Sequence, residues 1–235
     1  MSNLVVITKY LEKTDPWSSH SVIRNWLRRM PAGSKVLDIG AATGILAKGM
    51  TGSGLRFFGV EPVKAWAEEA KPYYEELNSA PLEEVPDSFI ADKNIIVCAD
   101  VLEHLQAPEL LLKRLVQLQR SGAQFLISVP NVANVWIRIN LLVGKFDYVE
   151  HGILDRTHLR FFTRKTFLKM LDLAGLTLVE IRYTPIPMNL VHPFFESNFF
   201  GQLIHRKMAF LASVWPRMFA YQFVARCQII ERGVQ

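Results

Sequence analysis

The sequence predicts an α/β fold: a doubly wound, seven-stranded and mostly parallel sheet with helices on both faces. Three observations predict it. Short apolar runs alternate along the chain with segments of helical periodicity. The first such run, "KVLDI" at 35–39, is continuous rather than alternating, as in a strand buried on both faces, and it leads directly into the loop "GAATG" at 40–44. The length of 235 residues, 50% of them hydrophobic, suffices for one well-filled domain.

The elements follow in order. An N-terminal helix carries Val22, Ile23, Trp26, Leu27 and Met30 on one face and is closed by Pro31 and Gly33. After the first strand and its loop, Ile45, Leu46 and Met50 open a helix. A second strand over 55–60 ends at Glu61 and Pro62, and Pro62 suits the first position of a helix running on through Ala70. A third strand falls near 77–82 and a fourth over 93–98; Leu111, Leu115 and Leu118 then share one side of a helix that stops at Gly122. The fifth strand spans 124–129. Thr163 caps a helix bearing Phe167, Leu171 and Ala174 and ended by Gly175; strands over 176–183 and 221–230 complete the set. The stretch 184–220 is too long for a simple connection and is expected to have structure of its own. The organisation expected is an N-terminal helical cap over 1–34, then a domain over 35–235 with an aromatic-rich insertion at about 184–220.

Composition narrows the function. The balance of 27 basic to 22 acidic residues gives +5, which suits an anionic small molecule or a membrane surface. Its dense groups are only Arg24, Arg28 and Arg29 and the pairs Arg164–Lys165 and Arg206–Lys207, short of the stripe that nucleic acid requires. Cys98 and Cys227 lie in strand-like apolar runs, where free thiols act as small hydrophobes, as in a reducing compartment. The N-terminus lacks the pattern of a leader, and no uncharged apolar stretch approaches the roughly 20 residues that span a bilayer, so a cytoplasmic location is expected.

The loop at 40–44 occupies the position where a doubly wound sheet binds a nucleotide-like ligand, beyond the carboxyl ends of its strands. Glu61 stands at the end of the next strand, about 20 residues on, where a carboxylate can accept hydrogen bonds from both ribose hydroxyls. The third glycine that a dinucleotide's pyrophosphate calls for is missing, which argues against a nicotinamide dehydrogenase. A tight turn holding no ligand is the plain alternative.

The loop resembles the first motif of class I S-adenosylmethionine-dependent methyltransferases. The stretches "VCADVLEHLQAPELLL" at 97–112 and "ISVPNVANVWIRINLLVGKFDYVEHGILDRTHLRFFTRKTF" at 127–167 extend that resemblance to the bacterial methyltransferase-domain-23 type, over roughly residues 30–183. The resemblance implies a Rossmann-like sheet with its last strand antiparallel, S-adenosyl-L-methionine at the topological switch point, and methyl transfer to a small acceptor. By position, Asp38, Gly40, Ala42 and Gly44 line the methionine side of the cofactor, Glu61 holds the ribose, and Leu82 and Asp100 complete the cofactor set. Two departures stand out: Ala42 replaces a glycine, and Pro81 precedes Leu82, Glu83 and Glu84 where an Asp commonly meets the adenine amino group.

If the acceptor is a hydroxyl, its proton must be removed, and "DRTHLRFF" supplies His158 as base with Asp155 beside it to orient the imidazole. These residues can equally tie the loop down by hydrogen bonds. His104 and His151 are further candidates, although "DVLEH" also reads as a helix start with its acids near the N-terminus. The catalytic assignment is made without a metal. A second reading places a divalent ion between Asp100, Glu103, His104 and His158, as in the ubiquinone-type and small-RNA-end O-methyltransferases, which this turn resembles.

The acceptor expected is a saccharide or lipid-linked glycan intermediate; a quinone-like or phenolic acceptor, or a non-catalytic cofactor-binding scaffold, are the alternatives. No nucleic acid is expected as partner. The aromatic and basic segment "HPFFESNFFGQLIHRKMAFLASVWPRMFAYQF" is consistent with packed core, with a dimer contact, or with a peripheral contact to membrane or a lipid-linked substrate, in a monomer or homodimer.

Overall fold

A computed structural model of the chain describes residues 15–188 and 198–229. Its strands are β1 (Lys35–Ile39), β2 (Arg56–Val60), β3 (Glu76–Asn78), β4 (Ile95–Ala99), β5 (Gln124–Pro130), β6 (Thr177–Thr184) and β7 (Gln222–Gln228). They form a seven-stranded sheet in the order β3-β2-β1-β4-β5-β7-β6. The first five run parallel, and β7 is antiparallel to both β5 and β6. The order reverses between β1 and β4, so their carboxyl ends diverge into a crevice.

Both faces of the sheet are covered. On one side, Leu37, Ile39, Ile96, Phe125 and Ile127 pack with Leu112 and Leu115 of α5 (Pro108–Gln117) and Phe167 and Leu171 of α7 (Arg164–Leu173). On the other, Val36, Val97, Leu126 and Val224 meet Ile23, Trp26 and Leu27 of α1 (Ser19–Leu27) and Leu46 of α2 (Ile45–Lys48). The continuous apolar strands thus serve two cores at once. Thr163 forms a reciprocal cap with Thr166, as its type and position predict. Both cysteines are free and buried.

The structure departs from the sequence reading at particular places. The helix α3 (Lys64–Ala70) starts after Val63, so Pro62 precedes the cap rather than opening the helix. The cause is Glu61, whose Oε1 accepts the Val63 N–H at 2.9 Å and holds 61–63 in a turn. "DVLEH" opens no α-helix: Asp100 has φ +57, and only a three-residue 3-10 turn, Leu102–His104, follows. An additional helix, α6 (Val135–Leu142), follows β5, with the Asn134 side chain accepting from Trp136 N–H. The insertion does have structure: α8 (Phe199–Val214) and α9 (Pro216–Phe219) lead into β7. Phe194 and Phe195 lie outside the described residues, whereas Phe199 and Phe200 are exposed and are not core.

Between β3 and α4 (Asp87–Ile90), a 3-10 turn at Leu82–Glu84 crosses the sheet's edge. Arg114 of α5 pins it. Its Nη1 donates to the Leu82 carbonyl at 2.9 Å and its Nη2 to Val85 at 2.5 Å, and it pairs with Asp87. Replacing Arg114 with Met keeps the stem but strips two carbonyls of their donor. The expected loss is about 1–3 kcal/mol in denaturant unfolding, the scale of partly buried acceptors left unpaired.

Candidate active site

The β1–α2 loop is held by the end of β2. The Val60 carbonyl accepts from Gly40 N at 2.9 Å and Ala41 N at 3.0 Å, and Glu61 Oε2 accepts from Ala42 N at 2.8 Å. Three consecutive loop amides are thereby fixed. Gly40, Ala42 and Gly44 all have positive φ, at +74, +47 and +79. Ala42 therefore takes the left-handed conformation of the glycine it replaces, at a cost of about 1–2 kcal/mol. Gly40 is needed for a second reason: a Cβ there would lie 2.7 Å from Val101 Cγ2. The turn after β4 consequently rests directly on the loop after β1, bringing the two candidate clusters to one rim.

Glu61 is buried at that rim. Burial raises its pKa, against the stabilising amides of Val63 and Ala42. Each carboxylate oxygen accepts one amide and keeps further acceptor capacity, as a ribose diol requires. Asp38 of β1 is buried, and its Oδ2 accepts from Tyr74 Oη at 2.6 Å. Burial pushes its pKa up to about 7, with the Tyr74 hydrogen bond opposing and the Glu61 charge adding. Leu82 is buried in the core beneath the rim, leaving its backbone turn nearer to solvent.

Asp100 takes a different post. Its Oδ1 accepts from Ser128 Oγ at 2.6 Å and Gln222 Nε2 at 2.9 Å, and its Oδ2 from Ser19 Oγ at 3.3 Å. It joins α1, β5 and β7 at the crevice. The left-handed backbone at Asp100 breaks the helical spacing on which the four-residue metal set relied. The remaining three converge: Glu103, His104 and His158 offer ligand atoms all within 4.8 Å of one another.

The 103–104 turn and the 158–160 loop are fastened together, since the Glu103 carbonyl accepts from Leu159 N at 2.8 Å and Arg160 N at 2.9 Å. His158 is buried, with its Nδ1 3.0 Å from the Ile153 carbonyl. A carbonyl only accepts, so Nδ1 carries the proton and Nε2 keeps its lone pair. That Nε2 lies 4.0 Å from Glu103 Oε1, and the His104 ring is 4.8 Å away edge-on. Burial lowers the His158 pKa, holding the imidazole neutral.

Asp155 is not the orienting partner expected for His158. Its Oδ1 accepts from Thr157 N at 2.8 Å and Thr157 Oγ1 at 2.6 Å, and Thr157 Oγ1 in turn lies 3.1 Å from His104 Nδ1. Asp155 therefore steadies His104 through Thr157, because the short turn brings its carboxylate to the 157 position and leaves the Ile153 carbonyl for the imidazole of His158. His151 lies in the exposed stretch before this turn, outside the cluster. Sequence reasoning missed Tyr74, Val101, Ser128 and Gln222. Each comes from a separate element, and no local pattern marks it.

Comparison with known proteins bears on the family and the fold. The family described as a methyltransferase domain matches residues 15–181. The ubiquinone biosynthesis O-methyltransferase of Acinetobacter baylyi is 25% identical over 190 residues, covering 68% of this chain and 79% of that protein. The enzyme of the same name from Cupriavidus pinatubonensis is 28% identical over 166 residues, 66% of each. Among solved structures, an S-adenosylmethionine-dependent methyltransferase from Archaeoglobus fulgidus superposes with a TM-score of 0.57 at 16% identity, covering 89% of this chain and 94% of that one. The magnesium protoporphyrin IX methyltransferase of Synechocystis with bound S-adenosylhomocysteine gives 0.60 at 13% identity, covering 89% and 81%. These two similarities concern the fold.

The buried Asp38 makes stability depend on pH. Between its ordinary value of 3.8 and about 7, the folded protein keeps a proton that the unfolded chain has released. Its stabilising contribution is complete below 3.8 and is lost as pH rises through about 7. Asp38→Asn, which keeps an acceptor for Tyr74, is expected to remove this fall from the difference in denaturant midpoints measured across pH 4–8.

Proposed function

The chain belongs to the methyltransferase-domain family and uses S-adenosylmethionine, and from that premise we propose that it methylates a hydroxyl oxygen on a phenolic or quinone-like small molecule. The observation that carries the proposal is the cluster of Glu103, His104 and His158 at the rim where Val101 meets Gly40. The names of the ubiquinone O-methyltransferase relatives support the acceptor class. The saccharide or lipid-linked glycan acceptor expected from the sequence is the competing arm of the acceptor test.

The residues fit the cofactor. The loop at 40–44 runs beside the carboxyl end of β1 with its amides fixed by β2, and Glu61 presents a carboxylate anchored by the Ala42 and Val63 amides. When bound, S-adenosylmethionine supplies an electrophilic methyl carbon on sulfur. The protein's tasks are alignment and proton removal. We assign the proton to His158 Nε2: the Ile153 carbonyl fixes the tautomer, burial keeps the ring neutral, and the Glu103 carboxylate stands ready to stabilise the imidazolium that forms. The acceptor oxygen would take the methyl group in exchange for the proton, which would pass to that nitrogen, while the sulfur would leave with the carbon–sulfur pair.

A specific observation favours a divalent ion as a second reading of the same cluster. One carboxylate and two imidazoles within 4.8 Å form a donor set of the kind that such ions accept. Glu103, His104 and His158 would hold the ion, which would acidify and orient an acceptor hydroxyl.

His158→Ala is expected to lower methyl transfer about 100-fold or more, with calorimetric affinity for S-adenosylmethionine nearly unchanged. In the wild type, kcat/KM should rise with pH and level off below the ordinary histidine value of 6.5, because burial lowers the pKa of the base. Labelled-cofactor assays on catechols, hydroquinones and glycans then select the acceptor; transfer to glycans alone refutes the phenolic reading. For the ion, calorimetry of the apo-protein with magnesium, manganese or zinc should give binding that Glu103→Gln weakens by about ten-fold or more. Undiminished binding in that variant removes the cluster as its site.

A further inference from the structure

The helix α8 is built inside out. Its buried positions are Gly201, His205 and Ala212, while Phe199 is 73% and Phe200 67% exposed, and Phe210, Val214 and the following Trp215 also face solvent. In a helix packed on a core, the large apolar residues turn inward. The helix α6 repeats the anomaly: Ile137 is inside, and Trp136, Ile139, Leu142 and Val143 are outside, Leu142 at 85% exposure. Exposed apolar surface of this extent marks a docking face.

Both helices connect to the carboxyl end of β5, α6 directly after it and α8 through α9 into the start of β7. Asn131 Nδ2 and Asn134 Nδ2, at the start of α6, both donate to the Ala220 carbonyl at 2.9 Å, directly after α9. That carbonyl lies beside the Pro130–Gln222 pair, at the carboxyl end of β5, the neighbour of β4.

The charges identify the occupant. Neither 131–146 nor 199–219 contains an Asp or Glu, yet they carry Arg138 and Lys145, and Arg206, Lys207 and Arg217. Arg206 also lines, with Arg29 and the Glu180-paired Arg182, an open cleft of about 580 Å³ from which Phe210 emerges. A second copy of the chain docked on this face by two-fold symmetry would set cations against cations. A bilayer with anionic phospholipid accepts both features, since acyl chains take the aromatic side chains and phosphates take the guanidinium and ammonium groups. No helix among the described residues is long and apolar enough to cross a membrane, so the helices would lie in the interface plane.

We propose that α6 and α8 form a monotopic docking face for anionic lipid bilayers, setting the catalytic rim against the membrane surface. Flotation of the full chain with vesicles of phosphatidylcholine, with and without phosphatidylglycerol, tests it. The expected result is binding that requires phosphatidylglycerol, weakens with salt, and falls about ten-fold or more in the double variant Leu142→Glu, Phe199→Glu. Both sites are exposed, and unchanged thermal unfolding verifies that the variant folds. A second variant, Arg206→Gln with Lys207→Gln, keeps the apolar face and should lose only the preference for phosphatidylglycerol. The proposal is overturned by absence of vesicle binding, by binding that the double variant retains, or by a dimer that sediments as a monomer only in that variant. Vesicle binding is read without turnover, so its failure leaves the methyl-transfer reading intact.

Discussion

The close approach of Val101 to Gly40 is the constraint around which the site is arranged. With a Cβ at position 40 only 2.7 Å from the valine methyl, the turn after β4 could not rest on the loop after β1. The rim would then lose the adjacency of the Gly40–Gly44 loop, which the fold offers to a cofactor, and the Glu103–His158 cluster, which the fold offers to an acceptor. The loop in turn depends on its neighbour strand, since Val60 and Glu61 accept three successive amides. Backbone donors that would be costly to leave buried and unpaired are thereby satisfied without filling the crevice.

Electrostatics divides the acidic residues by depth. Asp38 is buried in β1, where desolvation favours its protonated form and Tyr74 is its partner. Glu61 is nearer the rim, anchored by two amides. Asp100 serves as a joint between α1, β5 and β7, and its left-handed backbone turns it out of register with Glu103 and His104. Glu103 is thus the carboxylate that meets the imidazoles. His158 gains a fixed tautomer from a carbonyl, which orients the ring without adding a second buried charge.

The outer surface follows a different rule from the core. The sheet is sealed by ordinary amphipathic helices on both faces, but α6 and α8 present their large apolar side chains outward. In α8 the inward positions are small or polar, with His205 3.3 Å from Asp15 and its ring tilted against Trp17, the centroids 5.0 Å apart. The helix is therefore attached to the body by a polar contact and close packing, which frees its aromatic residues for another phase.

The sequence by itself determined the alternation of strands and helices, the Thr163 cap, the loop at 40–44 with Glu61, and the grouping of His104 and His158 as candidates, because periodicity, glycine conformation and motif spacing are local properties. It also left visible the aromatic richness of 184–220, without the direction in which those side chains point. Only the tertiary structure decided that Asp38 is buried against Tyr74, that Asp100 leaves the histidine cluster, that Asp155 serves His104 through Thr157, and that Phe199 and Phe200 face outward. The physical reason is the same in each case. A side chain's role is set by the donors, acceptors and free volume it meets; Tyr74, Ser128 and Gln222 arrive from parts of the chain whose separation carries no trace of that meeting, and the Ile153 carbonyl is turned toward His158 by a loop with no sequence period.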